Sequence, residues 1–264
     1  MIPSSRLRPT ALLVVARKLP VIGIVAGSST DERTTICRSA YLAAVSRAGG
    51  APVVLPHLIE TVQAYASGCD GLLFTGGGDF DPRFSGQLCH DPKLLRKTDP
   101  VRDQFEFTLM RLADQMQTPV LGVCRGMQWM AAIRGGNIVL DLPSEFPSTE
   151  RHAMWSEPPD HLAHSVHVVS GSHLSAIVGE TRLNVNSRHH QSVRVPGLRT
   201  LSSAISDDGV IEAIEWTDHP FAIGVQWHPE DLAVTGDAAA TRLFEAFISA
   251  AAGLAPAPTR ISSA

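Results

Sequence analysis

The stretch Pro119-Val120-Leu121-Gly122-Val123-Cys124-Arg125-Gly126-Met127-Gln128-Trp129-Met130 decides the fold. The apolar run after Thr118 reads as a short buried strand, and from Met127 to Ile133 apolar residues fall at helical spacing. Cys124 therefore stands at a strand-to-helix corner that exposes its sulfur. Gly122 and Gly126 flank it symmetrically, as so sharp a turn requires, because neighbouring Cβ atoms would crowd the nucleophile. The thiol at such a corner meets the free N–H groups and positive dipole end of the next helix, which favour the thiolate. A buried structural cysteine remains the alternative from these residues alone.

Outward from the corner, strands alternate with helices. Pro20 to Ala26, Ala51 to Leu55 and Gly71 to Phe74 are apolar runs with strand character, and Ala40 to Ala48, Thr61 to Ala66 and Arg102 to Gln117 carry helical spacing. That alternation predicts βαβ units and hence an α/β fold, a mostly parallel sheet with helices on both faces. Residues 79–100 form a long Asp- and Pro-containing loop after a glycine turn, suited to a substrate-facing lid. Residues 141–163 lack periodicity and are expected to be irregular. Beyond them, His164 to Ser170, Thr181 to Asn186, Ser192 to Val195, Val210 to Trp216 and Ala222 to Trp227 read as additional strands, and Ala238 to Ala251 as a closing helix. The expected organisation is a loose extension over 1–18, a single domain over 19–252 and a mobile tail over 253–264.

Composition narrows the function. The chain has 264 residues, 44% hydrophobic and 18% charged, with a net charge of −4, and no Lys/Arg-rich run interleaved with aromatics, which argues against nucleic acid as a partner. No apolar run reaches the ~20 residues of a membrane helix. Cys37, Cys69, Cys89 and Cys124 form no C-x-x-C pair, so neither a disulfide framework nor a zinc site is expected, and a reducing cytoplasm is the simplest home. His161, His164, His167 and His173 are spaced so that an alternating strand cannot bring every imidazole to one face. They read as surface or loop histidines, and no metal is expected.

Two further motifs carry chemistry. Gly224-Val-Gln-Trp-His-Pro-Glu230 ends an apolar strand in His-Pro-Glu; an extended backbone around the proline would turn His228 and Glu230 to one side, letting the carboxylate orient the imidazole. Thr75-Gly76-Gly77-Gly78-Asp79 follows another strand. Its backbone N–H groups suit an oxyanion hole completed by the N–H of Arg125. A plain glycine turn is the rival, whereas a phosphate loop lacks its G-K-[ST].

Together these motifs, with Arg102-Asp103 and Val185-Asn-Ser-Arg-His-His-Gln191 between them, resemble the class I glutamine amidotransferase-like hydrolases, and within them the γ-glutamyl-γ-aminobutyrate hydrolase group of cysteine peptidase family C26. The resemblance runs from Pro20 to the last helix. It implies a flavodoxin-like domain, a Cys124, His228, Glu230 triad, an oxyanion hole at Gly77, Gly78 and Arg125, and substrate contacts from Gln128, His190 and Gln191. The implied activity is hydrolysis of the γ-glutamyl amide of a small γ-glutamyl-amine, as in putrescine breakdown, without cofactor or metal. The implied partner is a small-molecule γ-glutamyl substrate, with a homodimer as the candidate assembly. A glutaminase subunit feeding ammonia to a separate synthetase and a non-catalytic binding protein are the alternatives.

Overall fold

The computed structural model describes residues 19–29, 34–146 and 150–254. The extension expected over 1–18 and most of the expected tail, 255–264, lie outside them. The strands are β1 (Val21–Val25), β2 (Gly27–Ser28), β3 (Thr35–Ile36), β4 (Ala51–Leu55), β5 (Gly71–Phe74), β6 (Val120–Val123), β7 (Asn137–Val139), β8 (His164–Val168), β9 (Arg182–Val185), β10 (Ser192–Val195), β11 (Thr200–Ser206), β12 (Ile211–Trp216) and β13 (Ala222–Val225). The helices are α1 (Ser39–Arg47), α2 (Val62–Gly68), α3 (Pro100–Met116), α4 (Arg125–Ile133), the single turn α5 (Leu142–Glu145), α6 (His173–Val178), α7 (Pro229–Thr235) and α8 (Ala238–Ala251).

All strands except the β2–β3 ribbon join one sheet, in the order β4-β1-β5-β6-β13-β12-β11-β8-β9, with β10 pairing to β12 and β7. From β4 to β13 the pairing is parallel, and from β13 onward antiparallel. The parallel strands are buried on both faces, which explains their unbroken apolar sequences. Leu73, Leu121 and Val123 point into a core shared with Tyr41, Val45 and Phe247 of α1 and α8. Leu72, Phe74 and Val120 pack on the other side against Phe105, Leu109 and Trp129 of α3 and α4.

Several elements depart from expectation. β11 reads Thr-Leu-Ser-Ser-Ala-Ile-Ser and shifts register against β12 twice, so its burial does not alternate and its sequence hides the strand. As expected, the described residues of 141–163 are irregular apart from α5 and one isolated bridge, Ala153 to Arg188. The backbone from His228 to Glu230, expected to be extended, instead starts α7, with Pro229 in its first turn. The fixed φ of proline starts a helix as readily as it extends a strand.

Candidate active site

The parallel pairing β5-β6-β13 sets the ends of three strands side by side, with Val123 opposite Val225 and Phe74 opposite Gly122. The residues just past those ends are Thr75–Asp79, Cys124 and His228, and they line one cavity of about 860 Å³. Cys124 caps α4 with φ 52° and ψ −104°, a backbone region that costs a residue bearing a Cβ of order 1–3 kcal/mol. Neighbouring bonds hold it there: its N–H donates to the Val225 carbonyl at 2.7 Å. Both flanking glycines are needed, because a Cβ on Gly122 would lie 2.7 Å from the Gly126 carbonyl carbon and one on Gly126 would overlap the Phe74 carbonyl.

His228 caps α7, and its Nδ1 lies 2.7 Å from Glu230 Oε1. The pair meets because His228 and Glu230 occupy a helix start, not the extended segment expected from the sequence. Burial alone would lower the imidazole pKa, but the Glu230 carboxylate and the nearby Cys124 sulfur outweigh it and hold the value at about 10. Glu230 is fully buried and also receives Arg38 Nη1 at 3.3 Å, while Arg38 grips Asp231 with two bonds of 2.9 and 2.7 Å. Arg38 and Tyr41, whose hydroxyl accepts from the Gly76 N–H at 3.0 Å, have no signature in the sequence, since their partners are remote along the chain.

The glycine turn is held by two buried arginines. Arg102 donates to the carbonyls of Thr75 and Gly76, each at 3.1 Å, and Arg125 Nη1 donates to the Gly78 carbonyl at 2.8 Å. Glu106, with no exposed surface, accepts from Arg102 Nε at 2.8 Å, Arg125 Nε at 2.7 Å and Trp129 Nε1 at 2.6 Å. Burial pushes this carboxyl's pKa up, and the two guanidiniums more than reverse the push. Among the described residues, none accepts a hydrogen bond from the amides of Gly77, Gly78 or Arg125. The carbonyls of Thr75, Gly76 and Gly78 are therefore engaged, whereas these three amides are not.

The expected substrate contacts Gln128, His190 and Gln191 all line the cavity. His190 sits between Asp79, 3.0 Å from Nε2, and Asp141, 3.1 Å from Nδ1. Gln191 Nε2 donates to the carbonyl of Leu140 at 3.0 Å. The loop from Asp79 to Pro100 contributes Arg96, Lys97, Thr98 and Asp99 to the wall. Its carboxylates are already engaged: Asp81, Asp91 and Asp99 accept from the backbone at short-helix or helix starts, and Asp79 pairs with His190. The facing wall carries Trp155, over which Arg96 lies at 4.7 Å, and Arg188. Of the histidines assigned to the surface, His161 and His167 are exposed and His173 is half-buried. His164 departs from that assignment: its side chain is only 3% exposed, because it opens β8 facing inward.

Comparison with known proteins agrees with this architecture. The sequence model of the Peptidase C26 family matches residues 20–230. Protein NtpR of Enterococcus hirae is 34% identical over 239 residues, covering 87% of this chain and 98% of that protein. The γ-glutamyl-γ-aminobutyrate hydrolase PuuD of Escherichia coli is 33% identical over 243 residues, covering 88% and 93%. Among solved structures, the glutaminase domain of CTPS from Trypanosoma brucei, with bound acivicin, shares the fold at a TM-score of 0.60 and 19% identity, over 92% of this chain and 98% of that one. No helix among the described residues is long and apolar enough to cross a membrane. The chain belongs to the Peptidase C26 family of glutamine amidotransferase-like hydrolases.

Proposed function

We propose that this protein hydrolyses the γ-glutamyl amide bond of a small γ-glutamyl-amine, with Cys124 as nucleophile, His228 as proton carrier and Glu230 as its orienting carboxylate. The observation that carries the reading is the convergence of a strained cysteine corner, a carboxylate-bound imidazole and a glycine floor in one cavity. The relative named for γ-glutamyl-γ-aminobutyrate hydrolysis supports the substrate class. The Cys124 thiolate attacks the δ-carbonyl, and the amides of Gly77, Gly78 and Arg125 receive the developing oxyanion; one such donor is typically worth about 100–1,000-fold in rate. His228 gives its proton to the departing amine, leaving a γ-glutamyl thioester. Water then attacks the thioester with His228 as base, and glutamate leaves. Arg188, which makes no ion pair among the described residues, supplies a cation for the substrate α-carboxylate.

The test is an activity screen over γ-glutamyl conjugates of GABA, putrescine, spermine, ethanolamine and amino acids, with free glutamine alongside. Turnover of at least one conjugate well above glutamine, abolished in Cys124→Ala, is the expected outcome. Glutamine hydrolysis that appears only on adding a partner protein would reject the reading in favour of a glutaminase subunit.

A further inference from the structure

Four side chains that the cysteine chemistry does not use converge behind the cavity wall. His152 comes from the loop after α5, His164 from the start of β8, His189 from the turn between β9 and β10, and Glu212 from β12. Their side chains are 5%, 3%, 1% and 0% exposed, and their nearest ligand atoms all lie within 4.8 Å of one another. Around Glu212 Oε1 stand His152 Nδ1 at 3.3 Å, His164 Nε2 at 3.6 Å and His189 Nε2 at 3.5 Å. Among the described residues, none of these nitrogens and neither oxygen of Glu212 has a hydrogen-bond partner.

The opposite edge of each ring fixes the tautomer. His189 Nδ1 is 2.9 Å from the Gln191 carbonyl, His164 Nδ1 is 3.3 Å from the Ser165 carbonyl, and His152 Nε2 is 3.0 Å from Asp208 Oδ2. Carbonyls and carboxylates only accept, so the proton of each imidazole sits on that outer nitrogen. When the rings are neutral, each inner nitrogen presents a lone pair to a carboxylate that also presents lone pairs. Leaving such atoms facing one another in a buried site is costly. Protonating all three rings would instead crowd three buried charges around Glu212, with Asp208 and Glu150, the latter 3.9 Å from His164 Nδ1, on their outer edges. A single divalent cation would satisfy the three inner nitrogens and one oxygen of Glu212 without burying like charges together.

We propose that His152, His164, His189 and Glu212 form a closed, four-coordinate site for a divalent metal ion of the zinc type. Ligands about 2.0–2.1 Å from a tetrahedral zinc lie about 3.3–3.4 Å from each other, close to the 3.3–3.6 Å that separates Glu212 Oε1 from each imidazole. Three imidazoles and one carboxylate suit zinc in softness, and outer-edge bonds to carbonyls and a carboxylate are the usual supports of metal-bound histidines. With all four positions filled by protein and no exposed edge, the ion is structural. It clamps the 150–153 loop, which bonds His189 N–H through the His152 carbonyl at 3.0 Å, to the sheet. It also fixes the turn that carries His190 and Gln191 into the cavity.

The experiment is titration of chelator-treated full-length protein with Co²⁺, followed by visible absorption, with thermal unfolding before and after Zn²⁺. Stoichiometric binding, the intense d–d bands of a tetrahedral nitrogen–oxygen set, no thiolate-to-cobalt charge-transfer band and a higher unfolding midpoint with Zn²⁺ are expected. The bands should persist in Cys124→Ala and His228→Asn and disappear in His164→Gln. Folded wild-type protein without these bands overturns the proposal, as does a thiolate band or a signal lost with His228→Asn and kept in His164→Gln. Should His164→Gln not fold, the wild-type spectrum decides alone, because the proposed set contains no sulfur.

Discussion

His228 shows how one residue ties chemistry to stability. Its folded-state pKa of about 10 lies above the ordinary 6.5, so between those values the folded chain keeps a proton that the unfolded chain has released. The resulting stabilisation is complete below about pH 6.5 and is lost as the pH climbs towards 10. Chemical denaturation across pH 7 to 10 should therefore show stability falling with pH in the wild type. The slope should flatten in Glu230→Gln, which removes the carboxylate that holds the proton; equal slopes would mean that Glu230 does not set it. Arg188 offers a second residue-scale prediction, since it lines the cavity without an ion-pair partner among the described residues. Arg188→Gln should raise KM for a γ-glutamyl substrate about tenfold, with kcat changed less, as expected when an interaction common to ground and transition states is lost. An unchanged KM would remove it from substrate binding.

At the level of elements, the β5 turn and the start of α4 are braced by α3 through Arg102, Asp103 and Glu106. Glu106→Gln leaves two buried guanidiniums short of a counter-charge, and breaking a buried pair in this way costs about 3–5 kcal/mol. Urea unfolding should show that loss. A smaller effect would mean that solvent reaches the arginines. Gly77→Ala asks a different question of the same brace, because the added Cβ would overlap the Arg102 guanidinium. It should depress kcat by 10-fold or more while the protein stays folded by circular dichroism; full activity would show that the glycine floor tolerates a shift. The parallel strands, the flanking helices α1, α3 and α8, and the corner at Cys124 were legible in sequence because each is dominated by local periodicity or turn chemistry. α7 was not, since proline after His228 fits a helix start and a strand end alike. β11 escaped because register shifts against β12 break its alternation.

On the scale of the whole molecule, the β13–β12 pair joins the parallel half to the antiparallel half in one sheet, and the cavity draws its walls from both. The two halves are therefore expected to unfold together. Near-UV signals from buried Trp129 and Trp216 and far-UV circular dichroism should give coincident transitions, and separated midpoints would divide the domain. This scale was also the least legible in the sequence. Arg38 meets Glu230, and His152 meets Glu212, across gaps in the chain that no periodicity spans, so only the folded arrangement reveals them. The backbone at Cys124 has one last consequence for the molecule as a whole. Cys124→Gly removes both the sulfur and the Cβ that resists φ 52°, whereas Cys124→Ala removes only the sulfur. The glycine form should outlast the alanine form on heating by about 1 kcal/mol of unfolding free energy. The variant without the proposed nucleophile would then be the hardier one, with heat tolerance traded away at the residue proposed to react.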